Sequence, residues 1–143
     1  MLYDIGFTGT KRGLNSSQRA ELDRILKDLK LRSFTRLRHG DCIGADAEAH
    51  ELARANFLAV ALHPPTYPKY RANCHMLPGE EVNEPKDYLF RNRDIVDNSA
   101  ILIVCSGDEE EVLRSGTWAT ARYARSIKKP HIIIYPTRVV SVL

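Results

Sequence analysis

Ala100-Ile101-Leu102-Ile103-Val104-Cys105 is an unbroken apolar run ending at Ser106-Gly107. A strand wetted on one face alternates apolar and polar residues; a run without alternation fits a strand covered on both faces, as in a parallel sheet. The period changes on either side of it. Residues 86–98 and 115–129 read as helices, the second stopped by Pro130, and residues 131–135 (HIIIY) resume a strand. Upstream, residues 3–8 (YDIGFT), 34–38 and 57–62 are strand-like. Between the first two of these, residues 15–31 place Leu22, Ile25, Leu26 and Leu29 on one helical face, with Asn15 and Gln18 spaced as a capping box. After Gly44, a helix carries Ala45, Ala49, Leu52 and Ala53 on one face, small enough for close packing on a sheet.

This alternation predicts an α/β domain spanning residues 1–143, a Rossmann-like doubly wound five-stranded parallel sheet with helices on both faces. The first and fourth strands should be neighbours where the strand order reverses. Residues 64–85 hold five of the 7 prolines and read as a long irregular loop, either a ligand lid with Tyr67 and Tyr70 as stacking faces or a static cover. Residues 139–143 form an apolar tail suited to an edge strand or an oligomer contact.

Composition narrows the function classes. Of 143 residues, 43% are hydrophobic and 27% charged, which excludes disorder, collagen and coiled coil. The net charge of +3 is small and evenly spread, and no basic stripe carries interleaved aromatics, so nucleic acid is not the expected partner. No apolar run approaches the ~20 residues of a membrane span, and Asp4 interrupts the first apolar stretch, so neither a membrane partner nor a leader is expected. Cys42, Cys74 and Cys105 are odd in number and lack CxxC spacing, which predicts free thiols and a cytoplasmic protein.

In a doubly wound sheet, ligands bind beyond the carboxyl ends of the strands. After the first strand stands Gly9-Thr10-Lys11-Arg12-Gly13, a flexible turn with a hydroxyl and two cations that suits an anion, although it is not a P-loop. After the second comes His39-Gly40-Asp41-Cys42-Ile43-Gly44-Ala45-Asp46, where glycines permit close backbone approach and Asp46 falls in the first helical turn, ligand contact or helix cap. Arg114 precedes Ser115-Gly116-Thr117, which opens a helix with small, donor-rich residues. Arg91, Asn92 and Arg93 supply further donors, but Arg91 and Arg93 point to different helical faces, so one of them at most meets a ligand. Cys74-His75 has no second close pair, so no metal is expected, and no organic cofactor is called for.

Together, "GFTGTKRG", "HGDCIGAD", "HPPTY", "FRNRDIVDNSAILIV" and "SGTWATARYA", in this order, resemble the SLOG superfamily, which joins the DNA-processing protein A Rossmann domain with the cytokinin-activating Lonely guy enzymes. The likeness spans residues 5–135 and is greatest to small stand-alone YspA-type proteins. It implies a Rossmann-like domain that binds a nucleotide or nucleotide derivative. Lonely guy enzymes carry PGGxGTxxE at the helix start, and its Glu serves nucleotide N-glycosidic cleavage. Gly116 and Thr117 match the Gly-Thr, but Thr120 stands at the Glu position and no Pro-Gly-Gly precedes. A hydroxyl cannot replace that carboxylate, so a phosphoribohydrolase would need another acid, for which Asp41, Asp94 and Glu84 are available.

Three readings follow. The first is binding of a nucleotide-type small molecule, with phosphate on residues 9–12 and 115–117, sugar and base near Gly40, Asp41 and Asn92, and stacking on Tyr67, Tyr70 or Trp118. The second is a nucleotide N-glycosidase, and the third is single-stranded DNA binding. A homodimer or higher homo-oligomer is the expected assembly, since relatives commonly pair.

Overall fold

The computed structural model describes residues 3–143. Its elements run β1 (Asp4–Gly9), α1 (Ser16–Leu31), β2 (Arg36–His39), α2 (Ala45–Ala55), β3 (Ala59–Leu62), a short 3-10 turn (Pro68–Tyr70), β4 (Glu81–Val82), α3 (Tyr88–Asp97), β5 (Ile101–Cys105), α4 (Gly116–Ser126), β6 (His131–Ile134) and β7 (Val139–Val142). They form one sheet in the order β4-β3-β2-β1-β5-β6-β7. β1 through β6 pair in parallel, and β7 pairs with β6 antiparallel.

The sheet therefore has seven strands where five were expected. Both additions are edge strands. β4 lies inside the proline-rich stretch, and its two residues carry no periodic signal. β7 returns after Tyr135, whose N–H donates to the Arg138 carbonyl at 2.7 Å. The expected neighbours are neighbours: Ile5 pairs with Ile101 and Gly9 with Cys105, and strand order reverses between them.

The capping box is present at α1. Asn15 Oδ1 accepts from Gln18 N at 2.7 Å, and Gln18 Oε1 accepts from Asn15 N at 3.1 Å. The buried Leu22, Ile25, Leu26 and Leu29 of α1 and the alanines of α2 pack on one face of the sheet, against Phe7, Leu37 and Ile103. On the other face Ile95, Val96, Trp118 and Ala121 of α3 and α4 meet Leu102, Val104 and Ile133. Every residue of β5 is buried, as its apolar run predicted.

α3 and α4 cover β1, β5 and β6, but not the outer half of that face. Over β2 to β4 the cover is an ionic network. Arg38 Nε donates to Asp4 at 2.8 Å, and its Nη1 and Nη2 donate to Glu81 at 2.5 and 3.1 Å. Arg38 reaches Glu81 across Ala61, which pairs with both residues in the ladder. His63 Nε2 accepts a further bond from Arg38 Nη1 at 3.0 Å. Its imidazole is pushed down to about 4 by burial and then by the Arg38 charge.

Candidate functional site

β1 and β5 end side by side, and the chain leaves them toward opposite faces. The gap between is a cavity of about 520 Å³, within the range of small-molecule sites. Four of the segments singled out in the sequence meet there: residues 9–12, Gly40 with Asp46, Arg91 with Asn92, and residues 115–117.

Arg91 is the most constrained of these. It is only 5% exposed, yet its guanidinium forms no ion pair among the described residues. Nη1 donates to the carbonyls of Gly40 (2.8 Å) and His63 (3.1 Å), and Nε to Asn92 Oδ1 (2.8 Å). Among the described residues Nη2 has only the Cys42 sulfur, at 3.8 Å. Its cation also lies 4.9 Å from the Tyr88 ring centroid. The carboxylate of Asp46 is near but forms no ion pair with it, so the guanidinium keeps capacity for an anion in the cavity it lines.

Asp46 sits in the first turn of α2. Its Oδ2 accepts from the N–H groups of Gly40 (3.1 Å) and Cys42 (3.2 Å), bracing the turn after β2. Burial pushes its carboxyl up to about 6, against the pull of Arg91 and the two backbone bonds.

Lys11 and Arg114 line the rim, both exposed and both without an ion pair among the described residues. Lys11 Nζ lies 4.0 Å from the Tyr70 ring centroid and 5.2 Å from that of Tyr88. Arg12 instead spans the mouth to Asp108 at 3.2 Å. On the far wall α4 begins: Ser115 Oγ accepts from Trp118 N at 3.3 Å, and the space beyond Gly116 is open. A helix start with open approach adds a positive dipole end to the rim.

Three residues expected to touch ligand do not line this cavity. Arg93 is exposed and lies over the Tyr123 ring at 5.1 Å, so Arg91 is the arginine facing inward. Gly44 (φ 90°) has the Lys11 backbone where a Cβ would stand, so glycine lets residues 9–12 lie against α2. Asp41 is fully buried, in the left-handed region (φ 52°), and its carboxylate is committed: Oδ2 accepts from Arg71 Nε at 2.8 Å and Oδ1 from Cys74 N at 2.9 Å. Its backbone carbonyl accepts from Ala72 N at 2.8 Å. Asp41 thus anchors the long loop rather than a ligand. Tyr67 and Tyr70 also lie outside the cavity lining, while Trp118, 1% exposed, forms part of its wall.

Tyr88 and Cys42 were missed in the sequence. Tyr88 precedes Arg91 by three residues, which puts both on one helical face; that spacing was the available signal. Cys42 gave none.

The carboxylates considered for hydrolysis are elsewhere. Asp94 pairs with Lys86 at 2.6 Å, Glu84 is exposed, and Asp41 is committed as above. Thr120 is buried, with Oγ1 donating to the Gly116 carbonyl at 2.8 Å. Asp46 and Asp108 are the cavity's carboxylates among the described residues.

His39, His50 and Cys74 approach with ligand atoms within 4.8 Å of one another. Hydrogen bonds already fix both imidazoles. Asp41 N–H donates to His39 Nδ1 (2.9 Å), so His39 carries its proton on Nε2, which donates to His50 Nδ1 (3.0 Å). His50 Nε2 then donates to the His75 carbonyl (2.9 Å). A metal on His39 Nε2 would leave Nδ1 needing a proton while facing the Asp41 N–H. Burial keeps both imidazoles neutral and pushes the Cys74 thiol up to about 12, far from a thiolate ligand.

No family model and no curated protein matches this sequence. Solved structures do match. The molybdenum cofactor binding protein of Rippkaea orientalis superposes with a TM-score of 0.70 at 16% identity, over 94% of this chain and 77% of the other. DNA processing protein A of Helicobacter pylori, described with a single-stranded DNA binding mode, gives 0.61 at 19% identity, over 92% of this chain and 65% of its own. The Moco carrier protein of Chlamydomonas reinhardtii gives 0.61 at 17% identity, over 94% and 76%.

The fold is Rossmann-like and shared with these proteins.

The shared fold is thus carried here by a chain whose identity to these structures stays below 20%. In this sheet the cavity occupies the reversal of strand order, where ligands enter doubly wound folds.

Proposed function

We propose that this chain binds a phosphorylated, nucleotide-type small molecule in the cavity between β1 and β5. The observation that carries the reading is the Arg91 guanidinium, buried without an ion pair among the described residues and lining a cavity whose rim holds Lys11 and Arg114, likewise without ion pairs among those residues. Phosphate fits between Lys11 and the start of α4, where cation and helix dipole add. Tyr88, 36% exposed and lining the same space, supplies a stacking face for a base. The role is capture, for sensing or sequestration, rather than cleavage: Thr120 stands where the cleaving Glu would be, and the cavity's Asp46 is engaged by the N–H groups of Gly40 and Cys42. A cytoplasmic location accords with three free cysteines, and a homodimer would draw on Val140 and Val142 of the exposed β7.

Calorimetric titration with the four nucleoside monophosphates tests this. Lys11→Ala should weaken the tightest binder by about 1.5–3 kcal/mol, the range for a hydrogen bond to a charged group, and release of free base should stay at background. No binding of any monophosphate, or affinity untouched in Lys11→Ala and Arg114→Ala alike, would reject the reading.

A further inference from the structure

Outside the cavity an aromatic and cationic ladder continues from its mouth. Arg91 lies over Tyr88, Lys11 stands between Tyr88 (5.2 Å) and Tyr70 (4.0 Å), and Tyr70 meets Tyr67 with ring centroids 5.8 Å apart. Lys69 Nζ is 5.5 Å from the Tyr70 centroid. Neither Lys11 nor Lys69 is held by a carboxylate among the described residues. Tyr67 is 55% exposed.

This is not a floppy loop tip. The Tyr70 carbonyl accepts from Ile43 N at 3.0 Å, Arg71 is held by the buried Asp41, and Cys42 and Arg71 form an antiparallel bridge. The platform is fixed to the same turn that brings Gly40 and Asp46 to the cavity. The exposed Tyr67 ring beside the half-buried Tyr70, on a rigid frame with cations unpaired among the described residues at stacking distance, matches what a chain of bases and phosphates requires. Neither the ring pair nor Lys69 lines the cavity, so a mononucleotide seated there leaves them unused.

We infer that Tyr70 and Tyr67 form a second base subsite, so that the ligand is a linear dinucleotide or longer: first unit in the cavity, joining phosphate at Lys11 and Lys69, second base on the tyrosine pair. The inference rests on the reading of the cavity as a nucleotide site, and its test separates the two. Each nucleoside 5′-monophosphate is titrated beside the 5′-phosphorylated dinucleotide of the same base, at fixed ionic strength. One stacked base is worth about five-fold or more in affinity, so the dinucleotide should bind at least about five-fold more tightly than its monomer. Tyr67→Ala should bring that ratio close to one. Tyr67→Trp should preserve the ratio, and the fluorescence of the added indole, taken as the difference from the parent with its Trp118, should fall with dinucleotide but not with monomer. Equal affinity for monomer and dinucleotide in the parent protein would overturn the second subsite and leave the cavity reading intact. A ratio that survives Tyr67→Ala would also overturn it, and failure of every probe to bind would overturn both readings.

Discussion

Arg91 and Gly40 are so close that a methyl group on Gly40 would stand 2.5 Å from Arg91 Nη1 and 2.7 Å from Cζ. The guanidinium occupies the space that the missing side chain leaves, and its bond to the Gly40 carbonyl depends on that vacancy. Gly40→Ala should therefore drive Arg91 from its seat. The expected cost is about 1–3 kcal/mol of stability, as for overpacking in a core, with at least a ten-fold loss of monophosphate affinity, since hydrogen bonds to charged groups are worth about 1.5–3 kcal/mol. Thermal melting and titration on the same variant check both.

Asp46 should reveal itself through pH. Its carboxyl is held near 6 in the folded chain and near 3.8 when unfolded. Between these values the folded state keeps a proton that the unfolded state has released. Stability from this group therefore falls as pH rises from about 4 to 6 and stays lower above. Asp46→Asn keeps an acceptor for Gly40 N and Cys42 N but removes the buried charge. At pH 8 the variant should be more stable than the parent by up to about 3 kcal/mol, and at pH 4 that gain should vanish. Urea unfolding at the two pH values decides; an equal difference at both would refute the assignment.

Glu80 ties the long loop to α2. It accepts from Arg54 through both oxygens at 2.6 Å, and from the N–H groups of Val60 and Leu77, which together hold its carboxyl down to about 2. Glu80→Ala should cost about 2–3 kcal/mol, because one residue removes several bonds to a charged group. Glu80→Gln should cost less, and the parent should lose this stability as pH drops from about 4.5 toward 2. Chemical denaturation of the two variants measures it.

The His39–His50 pair predicts indifference to metal. Dialysis against a chelator, followed by addition of zinc, should leave the melting temperature unmoved, because both imidazoles are already satisfied and Cys74 holds its proton. A zinc-dependent rise in melting temperature, abolished by Cys74→Ser, would show that the tautomers rearrange around an ion.

The helix starts and the central strands were legible because their signals are local: Asn15 with Gln18, and the apolar run of β5. Residues 9–12 and 115–117 were legible as cavity walls because strand ends are where such folds open. Less was visible wherever distant residues decide. Nothing near Glu81 announces β4, which exists because Arg38 lies two strands away. Asp41 looked like a ligand contact, since a polar residue between glycines also fits that role; only the fold reveals Arg71 and Cys74 as its partners. The basic and aromatic stripe sought in the sequence was absent because the fold assembles it from Lys11, Tyr67, Tyr70 and Tyr88, which no single window contains.

The bridge from Arg38 over Ala61 to Glu81 sets an order of events in folding. A two-residue ladder is too short to nucleate its own pairing, so β4 can dock only once β2 and β3 lie side by side and present the arginine. The segment between β3 and α3 should then consolidate after the central sheet. Weakening the bridge should speed unfolding and leave the rate of folding nearly unchanged, as expected for contacts absent from the transition state. Ala61, in turn, must stay small: a longer side chain there would stand in the path of the charge that recruits the edge.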